Sequence, residues 1–199
     1  MELSPDGFPR VYCRPIHSKL SIDAFWTGPH DVTARKLPLV LYFSLCAEKS
    51  LTLSPYNQFV ASMSGLPVRV VSISLPEHGR DLRDEEGMMR WAAAWEKEPK
   101  IFSNFFENCR ALIDQLIACG EVDEKKIFLA GLSRGAWIAT RLASLSPGVH
   151  CVMGLAPLLD LSRVREFAER FDSTRLESEA LQLNENLLKS HFFYTIGSH

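Results

Sequence analysis

From residue 37 onward the chain alternates short apolar runs with longer stretches in which apolar residues return every three or four positions. This is the pattern of buried strands separated by amphipathic helices. Leu37 to Leu45 is nearly continuous in its apolar character, which predicts a strand covered on both faces, with Pro38 tolerable because it sits at the start. Pro55 to Leu66 predicts a short helix, and Val68 to Leu75, carrying Val70, Val71 and Ile73, predicts the next strand. The clearest helix runs from Ile101 to Cys119, where Phe102, Phe105, Phe106, Cys109, Leu112, Ile113, Leu116 and Ile117 mark one face and Gly120 supplies the stop. Lys126 to Ala130 reads as a buried strand entered from the charged stretch Glu121 to Lys125. Ala136, Trp137, Ile138, Ala139, Leu142, Ala143 and Leu145 then trace a helix that ends at Ser146, Pro147 and Gly148.

The remaining segments continue the alternation. Val149 to Leu155 predicts a strand, Ser162 to Phe171 a helix, Thr174 with Glu177 a capping box opening a helix toward Lys189, and Phe192 to Ile196 a last strand. Before the main pattern, Val11 to Ile16 and Ser21 to Trp26 read as early strands ahead of the turn-rich stretch Thr27 to Asp31. The turn Pro76-Glu77-His78-Gly79 leads into a charged and aromatic helical insertion around 81–100. There Met88, Met89, Trp91, Ala92 and Trp95 fall on one helix face, either a packing stripe or the cover of a substrate pocket. With no internal repeat, low-complexity tract or long linker, residues 1–199 read as one domain. Right-handed crossovers would set its strands side by side in a three-layer, doubly wound, mostly parallel α/β sheet, with their carboxyl ends on one edge.

Composition narrows the setting. A chain that is 46% hydrophobic and 23% charged has enough apolar residues for a substantial core. A formal charge of −2, with the basic residues scattered, gives no electrostatic reason to expect nucleic acid or an anionic membrane surface. No apolar stretch approaches the length that spans a bilayer, and Met1 to Arg10 lacks the apolar core of a secretion signal, so the expected location is cytoplasmic. Cys13, Cys46, Cys109, Cys119 and Cys151 are odd in number and widely spaced, as expected of small buried hydrophobes in a reducing compartment. Neither they nor the histidines show zinc-ligand spacing, and neither a metal nor a cofactor is expected.

The chemistry is concentrated in Gly131-Leu132-Ser133-Arg134-Gly135, a Gly-x-Ser-x-Gly spacing at the junction of an apolar strand and a helix. A strand that runs straight into a helix bends sharply at the serine. The flanking glycines leave room for that bend, and the hydroxyl stands clear of the sheet edge. Ser133 is therefore a candidate nucleophile, and its bland counterpart is an ordinary turn serine.

Together with Ala136 after the elbow, Pro76-Glu77-His78-Gly79 after an earlier strand and Ala156-Pro157-Leu158-Leu159-Asp160 after a later one, these residues resemble the α/β-hydrolase superfamily over nearly the whole chain. The likeness is nearest to bacterial members of the prolyl-oligopeptidase and dienelactone-hydrolase branches. It implies hydrolysis of a small-molecule ester, amide or thioester through a covalent serine ester, with Ser133 as nucleophile and the Arg134 N–H as one oxyanion donor. A second donor is implied from the loop after Leu37 to Phe43, where Leu45 is chosen by position alone. The Arg134 side chain reads either as a substrate contact or as a helix-start arginine making surface or interdomain contacts.

The resemblance also implies an acid and a histidine later in the chain, and Phe192 to His199 looks like the strand that delivers the acid. The expectation is a fold that lacks its last strand and helix, a C-terminally shortened form whose activity is in doubt. Asp160 could supply the acid or could simply cap a helix; His78 could supply the base or belong to a structural turn. His199 sits nearer the acid position than the base position, and His17, His30, His150 and His191 have no motif around them. A shortened sheet would expose an edge strand open to self-association. The competing reading is a non-catalytic relative, a binding or scaffold protein that keeps the elbow as architecture.

Overall fold

The computed structural model describes residues 10–17, 20, 22–29, 36–178 and 189–195. Seven strands form one sheet in the order β1-β2-β4-β3-β5-β6-β7. They are β1 (Arg14–Pro15), β2 (Ala24–Thr27), β3 (Leu37–Phe43), β4 (Arg69–Ile73), β5 (Val122–Leu132), β6 (Val149–Leu155) and β7 (His191–Thr195). β1 pairs with β2, and β2 with β4, antiparallel; the strands from β4 through β3, β5 and β6 to β7 are all parallel. The C-terminal ends of five strands thus share one edge.

β3 lies at the centre because both of its faces are apolar. Leu39, Leu41 and Phe43 pack with Val71, Ile73, Ile127 and Leu129, while Val40 and Tyr42 pack with Val70 and Ala130 on the other side. The second face is covered by α1 (Ala47–Thr52) and α2 (Gln58–Ser62), through Leu51 and Val60. The first carries α3 (Gly87–Lys97), α4 (Ile101–Ala118) and α5 (Arg134–Leu145). The result is the expected three-layer arrangement.

Aromatic rings lock the helical layer together. Trp91 of α3, Phe102 of α4 and Trp137 of α5 meet with centroids 5.2 Å, 5.1 Å and 6.0 Å apart, mostly edge to face. Rings in that geometry add about 0.5–1.5 kcal/mol per pair beyond their area burial. The apolar face of the 81–100 insertion is therefore a packing stripe. Trp91, Ala92 and Trp95 are buried in it, whereas Met89, assigned to the same face, is 47% exposed.

Several boundaries differ from the sequence pattern. The early strands shrink to the two residues of β1 and the four of β2, because antiparallel pairing with β4 reaches only Ala24 to Thr27. The helix expected over Pro55 to Leu66 contracts to Gln58–Ser62, and α1 forms in a stretch to which the pattern assigns no element. Between Ser162 and Phe171 a 3-10 turn (Leu161–Arg163) and a four-residue α6 (Arg165–Ala168) replace one helix. α7 (Ser173–Ser178) opens on Asp172, whose Oδ1 accepts from the Arg175 N–H at 2.8 Å, so the cap is not the Thr174–Glu177 box. The rest of that predicted helix toward Lys189 falls mostly outside the described residues, as do Ile196 and His199. β7 borders the sheet among the described residues, with Phe193 61% exposed. No helix among them is long and apolar enough to cross a membrane.

Candidate active site

Ser133 stands where β5 ends at Leu132 and α5 begins at Arg134. Its backbone adopts φ 52° and ψ −116°, a conformation that L-residues avoid and that costs about 1–3 kcal/mol. The surrounding chain enforces it. The Ser133 N–H donates to Leu155 C=O at 2.8 Å, and its own carbonyl accepts from the N–H of Ala136 at 3.0 Å and of Leu158 at 3.1 Å. The serine is thereby strapped to the loop that follows β6, and its side chain is left exposed.

The flanking glycines are steric necessities here. A Cβ on Gly131 would lie 2.2 Å from the backbone carbonyl of Gly135, and one on Gly135 would lie 1.9 Å from Phe43 O. Neither neighbour can yield, since both are backbone. Strand, bend and helix can approach this closely only without side chains at those two positions.

α5 starts immediately after the bend, so the Arg134 N–H is among the first helical amides, which have no partner within their own helix. This amide belongs to the residue directly after the exposed serine. Leu45, assigned as the second donor, is already engaged. Its N–H donates to Ser50 Oγ at 2.8 Å, its carbonyl accepts from Leu75 at 3.2 Å, and the residue is buried. Helix α1, which the sequence pattern does not predict, brings Ser50 there. The same hydroxyl bonds back to Cys46 O at 2.9 Å.

His78 lies in the loop after β4 with both ring nitrogens engaged. Nδ1 donates to Pro76 O at 2.8 Å, which fixes the tautomer and leaves Nε2 to accept from Arg134 Nη1 at 3.0 Å. Both ring nitrogens are thus engaged, one within the turn and one by Arg134, an arrangement that fits the structural reading of His78. Burial pushes its pKa down to about 4, with Arg134 and Arg90 acting in the same direction against the Pro76 hydrogen bond and Asp84. The Asp160 carboxylate accepts from the Ser162 N–H at 2.8 Å and caps the 3-10 turn, with Arg163 at 3.7 Å.

The Arg134 side chain follows neither of its sequence readings. Its guanidinium turns inward to His78 and to Asp84 O, 3.3 Å away. His150 and His191 open β6 and β7, at the opposite edge of the parallel strands from Ser133. No side chain of the described residues hydrogen-bonds the Ser133 hydroxyl, and none of them forms a group of three or more His, Cys, Asp or Glu arranged to hold a metal ion. Spacing gives no warning of the Arg134–His78 contact, because its partners lie 56 positions apart.

A mostly parallel sheet, helices on both faces and a strained serine between strand and helix define the α/β-hydrolase fold. This chain has that fold, as solved structures of hydrolases show. Over 93% of its length it is similar to an acylaminoacyl peptidase from Pyrococcus horikoshii (12% identity, TM-score 0.53). Over 94% it is similar to acetyl xylan esterase 1 from Thermoanaerobacterium sp. (18%, 0.57), and over 93% to an S-formylglutathione hydrolase from Agrobacterium tumefaciens (16%, 0.53). The chain spans 30% of the peptidase, 72% of the esterase and 84% of the S-formylglutathione hydrolase. No protein-family model matches it, and no curated protein matches it by sequence.

Proposed function

We propose that this protein is a serine hydrolase that cleaves an ester, amide or thioester through an acyl intermediate on Ser133. One observation carries the reading: a serine held at φ 52° between strand and helix, with its side chain exposed at the edge where parallel strands end. A backbone strained by about 1–3 kcal/mol persists only where the surroundings over-determine it, and such strain concentrates at functional sites. In this reading Ser133 Oγ bonds to the substrate carbonyl carbon as its proton passes to solvent water, the Arg134 N–H receives the developing oxyanion, collapse expels the alcohol, amine or thiol with a proton from water, and a second water hydrolyses the acyl-serine; Gly131 and Gly135 permit the bend. The substrate carbonyl binds over the C-terminal ends of β5 and β6, where open α/β sheets take ligands. The neighbours are esterases and peptidases, which supports hydrolysis without choosing the substrate.

A second reading has its own support. His78 has no nitrogen to spare and the Leu45 N–H is engaged, features that suit a binding or scaffold protein in which the elbow serves as architecture. A fluorophosphonate probe separates the two. A nucleophilic Ser133 labels covalently and Ser133→Ala abolishes the adduct, whereas equal labelling of both proteins, or of neither, supports the binding reading.

A further inference from the structure

Serine is a favoured helix N-cap because its hydroxyl can accept from the first-turn amides. Ser133 is the N-cap of α5, yet its side chain makes no capping hydrogen bond. A hydroxyl needed for chemistry has to stay out of the cap, so something else must fix the first turn of this helix.

The residue that reaches out of that turn is Arg134. Nη1 donates to His78 Nε2 at 3.0 Å and to Asp84 O at 3.3 Å. His78 is only 3% exposed and is held in turn: Pro76 O accepts from its Nδ1, and the Trp91 ring stands edge-on to it at 5.9 Å. Trp91 Nε1 donates to that same Pro76 carbonyl. The seat exists because residue 87 is glycine, since a Cβ there would lie 1.8 Å from Arg134 Nη1 and 2.5 Å from His78 Nε2. The loop around the seat is anchored as well, by Arg90 to Glu77 O at 3.1 Å and by Lys49 of α1 to the Asp84 carboxylate at 3.1 Å.

We propose that Arg134 is the positioning residue of the elbow: seated on His78 through the gap at Gly87, its side chain fixes the first turn of α5 and so aims its own N–H and the neighbouring Ser133 hydroxyl. This rests on Ser133 being the nucleophile. It gives one residue two roles, a backbone donor to the oxyanion and a side-chain tether that keeps the donor in place.

The test is a double-mutant cycle read by the second-order rate of fluorophosphonate labelling, at a temperature where denaturant titration shows every variant folded. Gly87→Ala, which pushes into the guanidinium, and Arg134→Ala should each slow labelling about 10- to 100-fold, an effect of the order that misplacing a catalytic group produces. The pair combined should be slowed by less than the product of the two single losses, because the added methyl then presses only on the His78 ring, which no longer holds the elbow. Arg134→Lys, which keeps one donor toward His78, should recover part of the loss. Ile113→Ala, a cavity in α4 away from the elbow, should lower stability and leave labelling within about twofold of wild type. Amide hydrogen exchange over residues 134–137 should quicken in Gly87→Ala and Arg134→Ala only. Should Gly87→Ala fail to fold, the contrast between Arg134→Ala and Arg134→Lys in labelling and exchange decides. Wild-type labelling in Gly87→Ala, multiplicative losses in the double variant, or equal labelling by the alanine and lysine variants overturns the positioning role while leaving the nucleophile intact. If wild type and Ser133→Ala label alike, the nucleophile itself fails, and the positioning role with it.

Discussion

Ser133 trades backbone comfort for exposure, and the trade is measurable. Glycine tolerates φ 52° without the Cβ penalty, so Ser133→Gly is expected to raise stability by about 1 kcal/mol in urea denaturation while removing any covalent labelling. Ser133→Ala keeps the Cβ and should leave stability nearly unchanged. His78 makes a second prediction. The folded chain holds it neutral down to about pH 4, whereas an unfolded chain takes up the proton near the ordinary value of 6.5. Between those limits the unfolded state binds more protons, so the contribution is present in full above pH 6.5 and is lost as pH falls toward 4. The loss should reach about 3 kcal/mol at most, at 1.36 kcal/mol per unit. Denaturation curves at pH 7 and 4.5 should show wild type losing more stability than His78→Gln; parallel losses would remove the buried neutral histidine from the account.

Short helices owe their ends to single hydrogen bonds. α7 has six residues, too few to stand on propensity, and its first turn depends on Asp172 Oδ1 accepting from Arg175. Arg175 also places its guanidinium 4.8 Å from the Trp95 ring and 4.6 Å from that of Phe171, and donates to Trp95 O at 2.7 Å, which couples α7 to α3. Asp172→Ala should therefore cost about 1 kcal/mol in thermal or denaturant unfolding, and Thr174→Ala a few tenths. Long elements are more legible in the sequence. The 18 residues of α4 bury nearly every position its spacing predicts, and β6 spans Val149–Leu155 as expected, because a strong period survives any tertiary context. The region from 161 to 171 departs from its pattern for the opposite reason: Val164 adopts an extended conformation and breaks one weak period into two short turns.

Stability of the molecule as a whole resides in the sheet centre. Leu41 of β3 is fully buried between both neighbouring strands, and Leu41→Ala should cost about 2–5 kcal/mol through lost burial and a cavity. Met89→Ala, on the outer face of α3, should fall within about 0.5 kcal/mol of wild type in the same denaturation experiment. The site is assembled at this same level. The Ser133 bend is held by the loop after β6, spaced by contact with β3 at Phe43, and flanked by an arginine anchored in the loop after β4. Four strands that are scattered along the chain contribute to one edge.

The order of strands and helices, the elbow and its two glycines can be read from the residues in line, since apolar period and a Gly-x-Ser-x-Gly spacing are local properties. Local signals cannot show which partner each polar group finds. That Leu45 gives its N–H to Ser50, that Asp160 uses its carboxylate in a cap, and that His78 accepts from Arg134, 56 positions away, are settled only as the chain folds. A hydrogen bond occupies a lone pair or a proton whatever the residue's usual chemistry, and only the folded chain decides where each one is used.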